Sequence, residues 1–340
     1  MLRVAHLVPN LLAGGRERMV ADLCARAADF GIDAQVIAYD PHAEGQRIAV
    51  DVPVHPLDRN LPDLPGRLNA LVAAERIDVL HAQGHVPAAL AAGIPVPMVA
   101  TLHVALGSGW RWLPAIRRGL RVARQLTAVS DDLARRFRFV AGRRIETVLP
   151  GLDLARFDVA RGRDTAFTLG IAARLHPVKR HHDAIAALRL LAARGMPCRL
   201  RIAGEGALDT ELRAAAYGLD VRFDGPVADM PRWLAGLDAF LLPSDHEGTP
   251  LALLEAAASG LPCIATAVGG TPAALGEAAL WVPRRRPKKI AEAIATLVAD
   301  PARSQAMGAA ARRRVQAFGL DRSCTRYRAI YDRSAAAATA

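Results

Sequence analysis

Short apolar runs alternate with amphipathic segments along most of the chain. The apolar runs suit buried strands, and the segments between them have the spacing of helices with one buried face. This alternation predicts an α/β fold with doubly wound parallel sheets. The predicted strands are residues 2–8, 33–39, 79–81, 98–103, 125–130, 145–149, 167–172, 198–203, 221–223, 239–242 and 262–266. The main predicted helices are residues 16–29, 64–76, 131–140, 181–193, 251–259, 288–299, 301–317 and 322–332.

The alternation is interrupted between residues 149 and 163, where proline, glycine and charged residues occur without periodicity. It then starts afresh. We therefore predict two Rossmann-like domains facing an interdomain cleft, at residues 1–155 and 164–319, followed by a disordered tail at 335–340. The length of 340 residues fits two domains. Ligands of such sheets bind beyond the carboxyl ends of the strands, so both domains should present loops to the cleft.

Composition narrows the class of protein. The formal net charge is +11, and arginine supplies nearly all of the positive charge because only three lysines occur. No run of about 20 apolar residues exists, so we expect no membrane-spanning helix. The four cysteines show no CxxC spacing, which fits a reducing compartment and argues against a zinc site or disulfide framework. These features predict a cytoplasmic protein.

The helix predicted at 251–259 follows a buried strand and a polar loop. Thr249 is expected to cap this helix and Pro250 to occupy its first position, with Leu251 next. Free amide groups at a helix start, together with the helix dipole, form an anion site. This stretch therefore predicts binding of a phosphate.

Two carboxylates flank that helix start. Glu247 lies in the preceding polar loop, and Glu255 is the single charged residue of an otherwise apolar helix. A lone glutamate in a helix that seems buried needs a reason, and accepting hydrogen bonds from hydroxyl groups would supply one. A phosphate site beside acceptors for a polyol indicates a nucleotide sugar.

Cations and glycines follow other predicted strands. Gly14 and Gly15 come after the first strand, where glycines let backbone amides approach a phosphate, although a tight turn is an equal alternative. Arg174 and Lys179 follow the first strand of the second half and could grip a phosphate, with plain surface charge as the alternative. No DxD pair occurs in the chain, which favours charge neutralisation by these cations and by helix dipoles over a metal ion.

Histidine also ends a strand on the side expected to face the cleft. His103 holds that position, and His81 and His85 are rival candidates. A lone histidine is more often a packed structural residue than a catalytic one, so the sequence pattern leaves its role open.

An amphipathic segment in the first half is basic and aromatic. Two interpretations stand: a solvated helix face, or contact with an anionic membrane surface. Its candidate contact residues are Trp110, Trp112, Arg117, Arg118 and Arg121.

Several of these pieces together resemble a known family. The segment from Glu247 to Glu255, EGTPLALLE, resembles the E-x7-E element of the retaining GT-B glycosyltransferases of family GT4, also called glycosyl transferases group 1. The segment from Arg174 to Lys179 is similar to the family's GRLxxxKG element. Further similarities are GEG at 204–206, NLLAGGRER at 10–18, TLH at 101–103 and AVS at 128–130. The sequence departs from the family at Ala173 and Arg180, where glycines are usual, and at Pro150-Gly151.

The resemblance implies a role for each matching residue. Glu247 and His103 would be catalytic residues beside the donor sugar, and Glu255 would bind the ribose. The final helix, at 320–334, would pack back on the first domain. The donor diphosphate would lie against Arg174, Lys179, Gly14, Gly15, Thr249, Pro250 and Leu251. The loop contacting nucleotide and sugar would include Gly204, Gly206 and Gly248.

The implied function is a retaining, metal-independent glycosyltransferase that uses a UDP-sugar or GDP-sugar and no cofactor. Its acceptor would be a lipid-linked glycan or a polysaccharide of the cell envelope, such as lipopolysaccharide or exopolysaccharide, at the inner face of the membrane. One alternative is a nucleotide-sugar epimerase of the same fold. Another is a non-catalytic nucleotide- or nucleic-acid-binding protein, which the diffuse distribution of arginine and the lack of any nucleic-acid motif disfavour.

Overall fold

The computed structural model describes residues 1–106, 112–160, 162 and 166–336. The chain forms two compact units. The first comprises Met1–Leu152 together with Phe318–Ala340, and the second comprises Asp153–Ala317. The sequence-predicted segment 164–319 lies almost entirely within the second unit.

The first unit contains a seven-stranded sheet in the order β3-β2-β1-β4-β5-β6-β7, and all of its neighbouring strands are parallel. Its central strands are buried on both faces, which explains why they are nearly continuous apolar runs. Its strands are β1 Leu2–Val8, β2 Ile32–Ala38, β3 Val54–Pro56, β4 Val79–Ala82, β5 Met98–Leu102, β6 Gln125–Ala128 and β7 Glu146–Thr147.

The second unit contains a six-stranded parallel sheet in the order β10-β9-β8-β11-β12-β13. The doubly wound parallel fold predicted from the alternation is therefore confirmed. Its strands are β8 Thr168–Ala172, β9 Arg199–Ala203, β10 Val221–Gly225, β11 Ala239–Leu242, β12 Cys263–Thr266 and β13 Ala279–Val282.

Helices connect the strands in both units. Three of them, α3, α8 and α10 below, have only five or six residues, too few to show helical periodicity in the sequence. The helices are α1 Gly15–Arg26, α2 Leu64–Ala74, α3 His85–Leu90, α4 Leu113–Val122, α5 Asp131–Ala141, α6 His181–Ala192, α7 Asp209–Ala215, α8 Met230–Ala235, α9 Leu251–Ala258, α10 Thr271–Leu275, α11 Pro287–Ala299, α12 Pro301–Arg314 and α13 Leu320–Ala336.

The C-terminal helix α13 is built into the first unit. Tyr327 and Tyr331 are among its largest fully buried side chains. Arg328 donates to the carbonyl oxygens of Phe30 and Gly31, at 2.9 and 2.8 Å. The prediction of a disordered tail at 335–340 is wrong for its first two residues, because α13 extends through Ala336. Residues 337–340 lie outside the described part of the chain.

Within the described ranges, no helix is both long and apolar enough to cross a lipid bilayer.

Candidate active site

Two of the predicted site residues, Lys179 and Glu247, meet in the second unit. The Lys179 Nζ lies 2.7 Å from Glu247 Oε1, although 68 positions separate the residues in the chain. Glu247 is only 8% exposed, and a buried carboxylate is costly unless a positive charge is near. The amide of Asp245 also donates to the carbonyl of Val178 at 2.8 Å. The loop after β11 is therefore fixed against the loop that carries the lysine.

Gly269 supports the Glu247 loop from the other side. Its φ of +54° is left-handed, and a Cβ atom there would lie 1.8 Å from the carbonyl oxygen of Glu247. The amide of Gly270 donates to the carbonyl of Gly248 at 2.7 Å. Sequence reasoning gave Gly269 no role. The signal was a pair of glycines that begins three residues after β12, in a loop where a backbone often needs to approach another backbone.

The sequence placed Pro250 at the first position of helix α9, and this placement is wrong by one residue. Leu251 is its first residue, and Pro250 is the N-cap, with an extended ψ of 109°. Thr249 therefore lies outside the helix, and no side chain caps it. Because proline has no N–H group, Pro250 offers no amide donor. The donors at this helix start begin at Leu251.

Glu255 lies on the second turn of α9 and is half-buried, where the sequence suggested a fully buried position. Its neighbours Leu254 and Ala256 are fully buried. The side chain is therefore at the border between the core and solvent, where a bound molecule can reach it.

Two glycines hold the loop after β9 against the loop that carries Arg174. Gly204 has φ +136° and Gly206 has φ +157°, and Cβ atoms there would lie 2.2 and 2.6 Å from the carbonyl oxygens of Ala173 and Leu175. Only glycine fits these two positions. Arg174 itself is exposed, two residues after the end of β8.

Arg180 replaces a family glycine in the same region. Its backbone is left-handed, with φ +56°, the conformation that a glycine would adopt readily. Its guanidinium binds Asp183 through two hydrogen bonds of 2.8 and 3.0 Å. The side chain is thus directed to its own helix, and these bonds raise its pKa further.

The predicted residues of the first unit cluster at the carboxyl ends of β1 and β5. Gly14 is the N-cap of α1 with extended backbone, and a Cβ atom there would lie 2.6 Å from Glu17 Oε2. Gly15 opens the helix and is exposed. Arg16 bonds Glu17 through Nε at 2.8 Å. Burial, with a smaller contribution from the charge of Arg16, lowers the pKa of His103 to about 3.

Of the three candidate histidines, His103 and His85 are partly accessible, and His103 is the one that follows a strand end. Its side chain is half-buried, and its Nε2 lies 2.8 Å from Oε1 of Gln83. His81 is fully buried and bonded to Thr101. His85 opens α3 and packs near a phenylalanine ring. Sequence reasoning missed Gln83, whose only signal was its position one residue after β4.

Comparison with known proteins decides the family. Residues 13–156 match the family described as Glycosyltransferase Family 4, and residues 166–300 match Glycosyl transferases group 1. A D-inositol 3-phosphate glycosyltransferase from Kineococcus radiotolerans is 30% identical over 95% of this chain and 91% of its own. The chain belongs to the family 4 glycosyltransferases.

One further relative and one similar solved structure have names that state different nucleotide ligands. A GDP-mannose-dependent monoacylated alpha-(1-6)-phosphatidylinositol monomannoside mannosyltransferase from Corynebacterium glutamicum is 33% identical over 62% of this chain and 63% of its own. The structure of Anabaena HepE in complex with UDP and glucose matches with a TM-score of 0.83 at 20% identity, over 96% of this chain and 98% of that one. The fold predicted from the resemblance, GT-B, is confirmed.

The basic segment of this glycosyltransferase lies partly on α4. Ile116 and Leu120 bury one face of the helix. On the opposite side Arg117, Arg118 and Arg121 are exposed. Trp112, just before the helix, is 69% exposed, whereas Trp110 lies outside the described residues. The predicted amphipathic helix is therefore present, with its basic face in solvent.

In the parts of the chain that the structure describes, no group of three or more His, Cys, Asp or Glu side chains could hold a metal ion.

Proposed function

We propose that this glycosyltransferase moves a sugar from a UDP-sugar or GDP-sugar to a lipid-linked or polysaccharide acceptor, with retention of configuration and without a metal ion. The observation that carries the proposal is the Lys179–Glu247 pair beside the start of α9. The lysine and the amides of the helix start can bind a diphosphate, and the carboxylate can bind sugar hydroxyls. The names of two similar proteins support the choice of donor, since one uses GDP-mannose and another was solved with UDP and glucose.

The proposed chemistry breaks the bond between the anomeric carbon and the diphosphate oxygen. The electron pair of that bond leaves with the diphosphate, so negative charge grows there in the transition state. Lys179, Arg174 and the amides from Leu251 onward would stabilise this charge, and preorganised groups of this kind lower the barrier. The acceptor hydroxyl forms the new bond to the anomeric carbon, and its proton passes to an oxygen of the departing diphosphate.

The two glutamates would orient the donor. Glu247 can accept hydrogen bonds from sugar hydroxyls while it stays paired with Lys179, because a carboxylate has several acceptor positions. Glu255, half-buried on α9, would accept from the ribose hydroxyls. Precise positioning of the reacting atoms supplies a large part of the rate enhancement in such reactions.

The proposed class of acceptor is based on exposed residues of the first unit. The exposed arginines of α4 and the exposed Trp112 suit an anionic lipid surface, where basic and aromatic groups sit at the headgroup level. The neighbouring helix α5 adds Phe139, which is 84% exposed. One relative's name gives a phosphatidylinositol mannoside as its acceptor. A lipid-linked acceptor at the inner membrane face would account for these features.

A donor screen tests the proposed function. Thermal unfolding is measured with UDP, GDP, ADP and their sugars, and one nucleotide sugar should stabilise the protein. A ligand at about 100 times its Kd adds about 2.7 kcal/mol to the unfolding free energy. The Glu255→Gln variant should lose most of this shift, while Glu292→Gln, a partly buried glutamate on α11, should keep it.

The same donor is then incubated with acceptor extracts, and the anomeric configuration of the product is read by NMR. A product with inverted configuration would contradict retention. Conversion of the donor without any acceptor would point to an epimerase, and tight nucleic-acid binding without stabilisation by any nucleotide sugar would reject the proposal.

Membrane contact gives a separate expected result. The protein should sediment with vesicles of anionic lipid at low salt, and less at high salt because salt screens exposed charges. Each arginine near such a surface contributes about 1 kcal/mol. Replacing Arg117, Arg118 and Arg121 together by glutamine should therefore weaken binding by roughly 10²-fold.

The control removes the same charge from the second unit. Arg194, Arg303 and Arg313 are exposed there, and their joint replacement by glutamine should leave vesicle binding nearly unchanged. Equal losses in both triple variants would show that net charge alone drives the binding.

A further inference from the structure

A buried hydrogen-bond network runs behind His103 in the first unit. Gln83 is fully buried, and its Nε2 lies 2.9 Å from Nδ1 of His6 and 3.2 Å from Nδ1 of His81. Its Oε1 lies 2.8 Å from Nε2 of His103. One amide therefore touches three imidazoles, and it extends from two neighbouring strand ends to the edge where His103 meets solvent.

The far end of the network is compatible with one consistent set of donors. The hydroxyl of Tyr331 lies 2.7 Å from Nδ1 of His81, and Thr101 Oγ1 lies 2.6 Å from its Nε2. A phenol hydroxyl that donates to Nδ1 leaves the proton of neutral His81 on Nε2, where it donates to Thr101. Nδ1 of His81 is then an acceptor, which agrees with the Gln83 amide nitrogen that faces it at 3.2 Å.

The orientation of Gln83 agrees with that assignment. With its NH2 group toward His6 and His81, its carbonyl oxygen faces His103. A carbonyl oxygen only accepts, so His103 must carry its proton on Nε2. All three imidazoles are neutral in this arrangement, which agrees with the effect of burial, since burial lowers the pKa of His6 to about 4 and that of His81 well below its ordinary value.

We propose that Gln83 is a positioning residue that holds His103 in the Nε2–H tautomer and so presents the Nδ1 lone pair as a hydrogen-bond acceptor for a hydroxyl group of the donor sugar. This inference rests on the proposed function, in which His103 lies beside that sugar. It deepens that function by one specific step: His103 acts as a neutral acceptor, and it neither donates a proton to the sugar nor carries charge.

Rigidity is the second consequence of the network. His103 bonds an amide that is itself held by His6 and His81, and His81 is held by Thr101 and Tyr331. A side chain fixed by such supporting bonds keeps its reactive atom in one place.

The tautomer of His103 is measured directly. Protein labelled with ¹⁵N-histidine is examined by long-range ¹H–¹⁵N NMR, and the His103 signals are assigned by their loss in His103→Asn. We expect a protonated Nε2 and an unprotonated Nδ1 in the free enzyme. A proton on Nδ1 instead, or a mixture of the two tautomers, would overturn the proposal without any variant of Gln83.

A matched pair of variants tests the role of Gln83. Gln83→Met removes the acceptor for His103, whereas Gln35→Met breaks a similar bond of 2.9 Å between Gln35 and His55 elsewhere in the same sheet. Gln83→Met should give a mixture of His103 tautomers and lower kcat by about tenfold, the scale of one hydrogen bond. Gln35→Met should leave both the His103 tautomer and kcat unchanged.

The outcomes separate the inference from the proposed function. If the wild-type enzyme transfers sugar and Gln83→Met transfers it equally fast with an unchanged tautomer, the inference on Gln83 is wrong and the function stands. If the wild-type protein neither binds nor turns over any nucleotide sugar, the proposed function is wrong, whichever tautomer the NMR spectra show.

Discussion

Replacing Lys179 with alanine should lower kcat by roughly 10²- to 10³-fold, the loss typical when one preorganised group that stabilises transition-state charge is removed. The substitution removes a cation from the proposed diphosphate site. It also leaves Glu247 buried without its counter-charge, because the pair at 2.7 Å is lost. Donor turnover is measured at saturating nucleotide sugar, with circular dichroism to check that the variant is folded.

The chain offers a matched control for this substitution. Lys289 forms a pair of the same length, 2.7 Å, with Glu292, but Lys289 is exposed and Glu292 is only partly buried. Lys289→Ala should keep nearly full activity, since a surface pair contributes little. Because Lys179 and Glu247 touch, the losses in Lys179→Ala and Glu247→Gln should not add in the double variant. Normal turnover in Lys179→Ala, or strictly additive losses, would contradict the assignment.

Replacing Gly269 with alanine is the second large expected effect. The new Cβ atom would lie 1.8 Å from the carbonyl oxygen of Glu247, so this backbone must move by about 1 Å or more. A displacement of about 1 Å at a reacting group can cost 10²-fold in rate. We expect a loss of that order in kcat, together with a lower melting temperature because of the positive φ.

The steric and conformational parts of that effect can be separated. Gly195 also has a positive φ, of +74°, but no atom lies within 4 Å of the Cβ position. Gly195→Ala should lower stability by about 1 kcal/mol and leave kcat intact. If Gly269→Ala behaved in the same way, the contact with Glu247 would have no role in catalysis.

The sequence predicted the fold well because periodicity reports burial. The first strand was predicted at its observed bounds, Leu2–Val8, since a strand buried on both faces is a continuous apolar run. Strand β3 was missed because its three residues are largely exposed. Pro250 was assigned to the first position of α9 instead of the N-cap because its backbone is compatible with both positions.

The sequence identified several residues of the candidate site, but it did not predict which of them contact each other. Lys179 and Glu247 were each chosen for a role, but their direct pairing depends on how two loops fold together, which no local pattern reveals. Gln83 was not predicted at all, for a different reason. A glutamine after a strand has no distinctive spacing, and only its position among three imidazoles shows what it does.

The path of the chain through the two units also affects how the protein is made. The first unit needs both the first 152 residues and the segment from Phe318, whereas the second unit is one continuous stretch. On the ribosome, the second unit can complete its core while the first still lacks the helix that carries Tyr331. Until α13 has been synthesised, His81 lacks the Tyr331 hydroxyl that it bonds in the folded protein. In nascent chains, the second unit should therefore become resistant to protease before the first unit does.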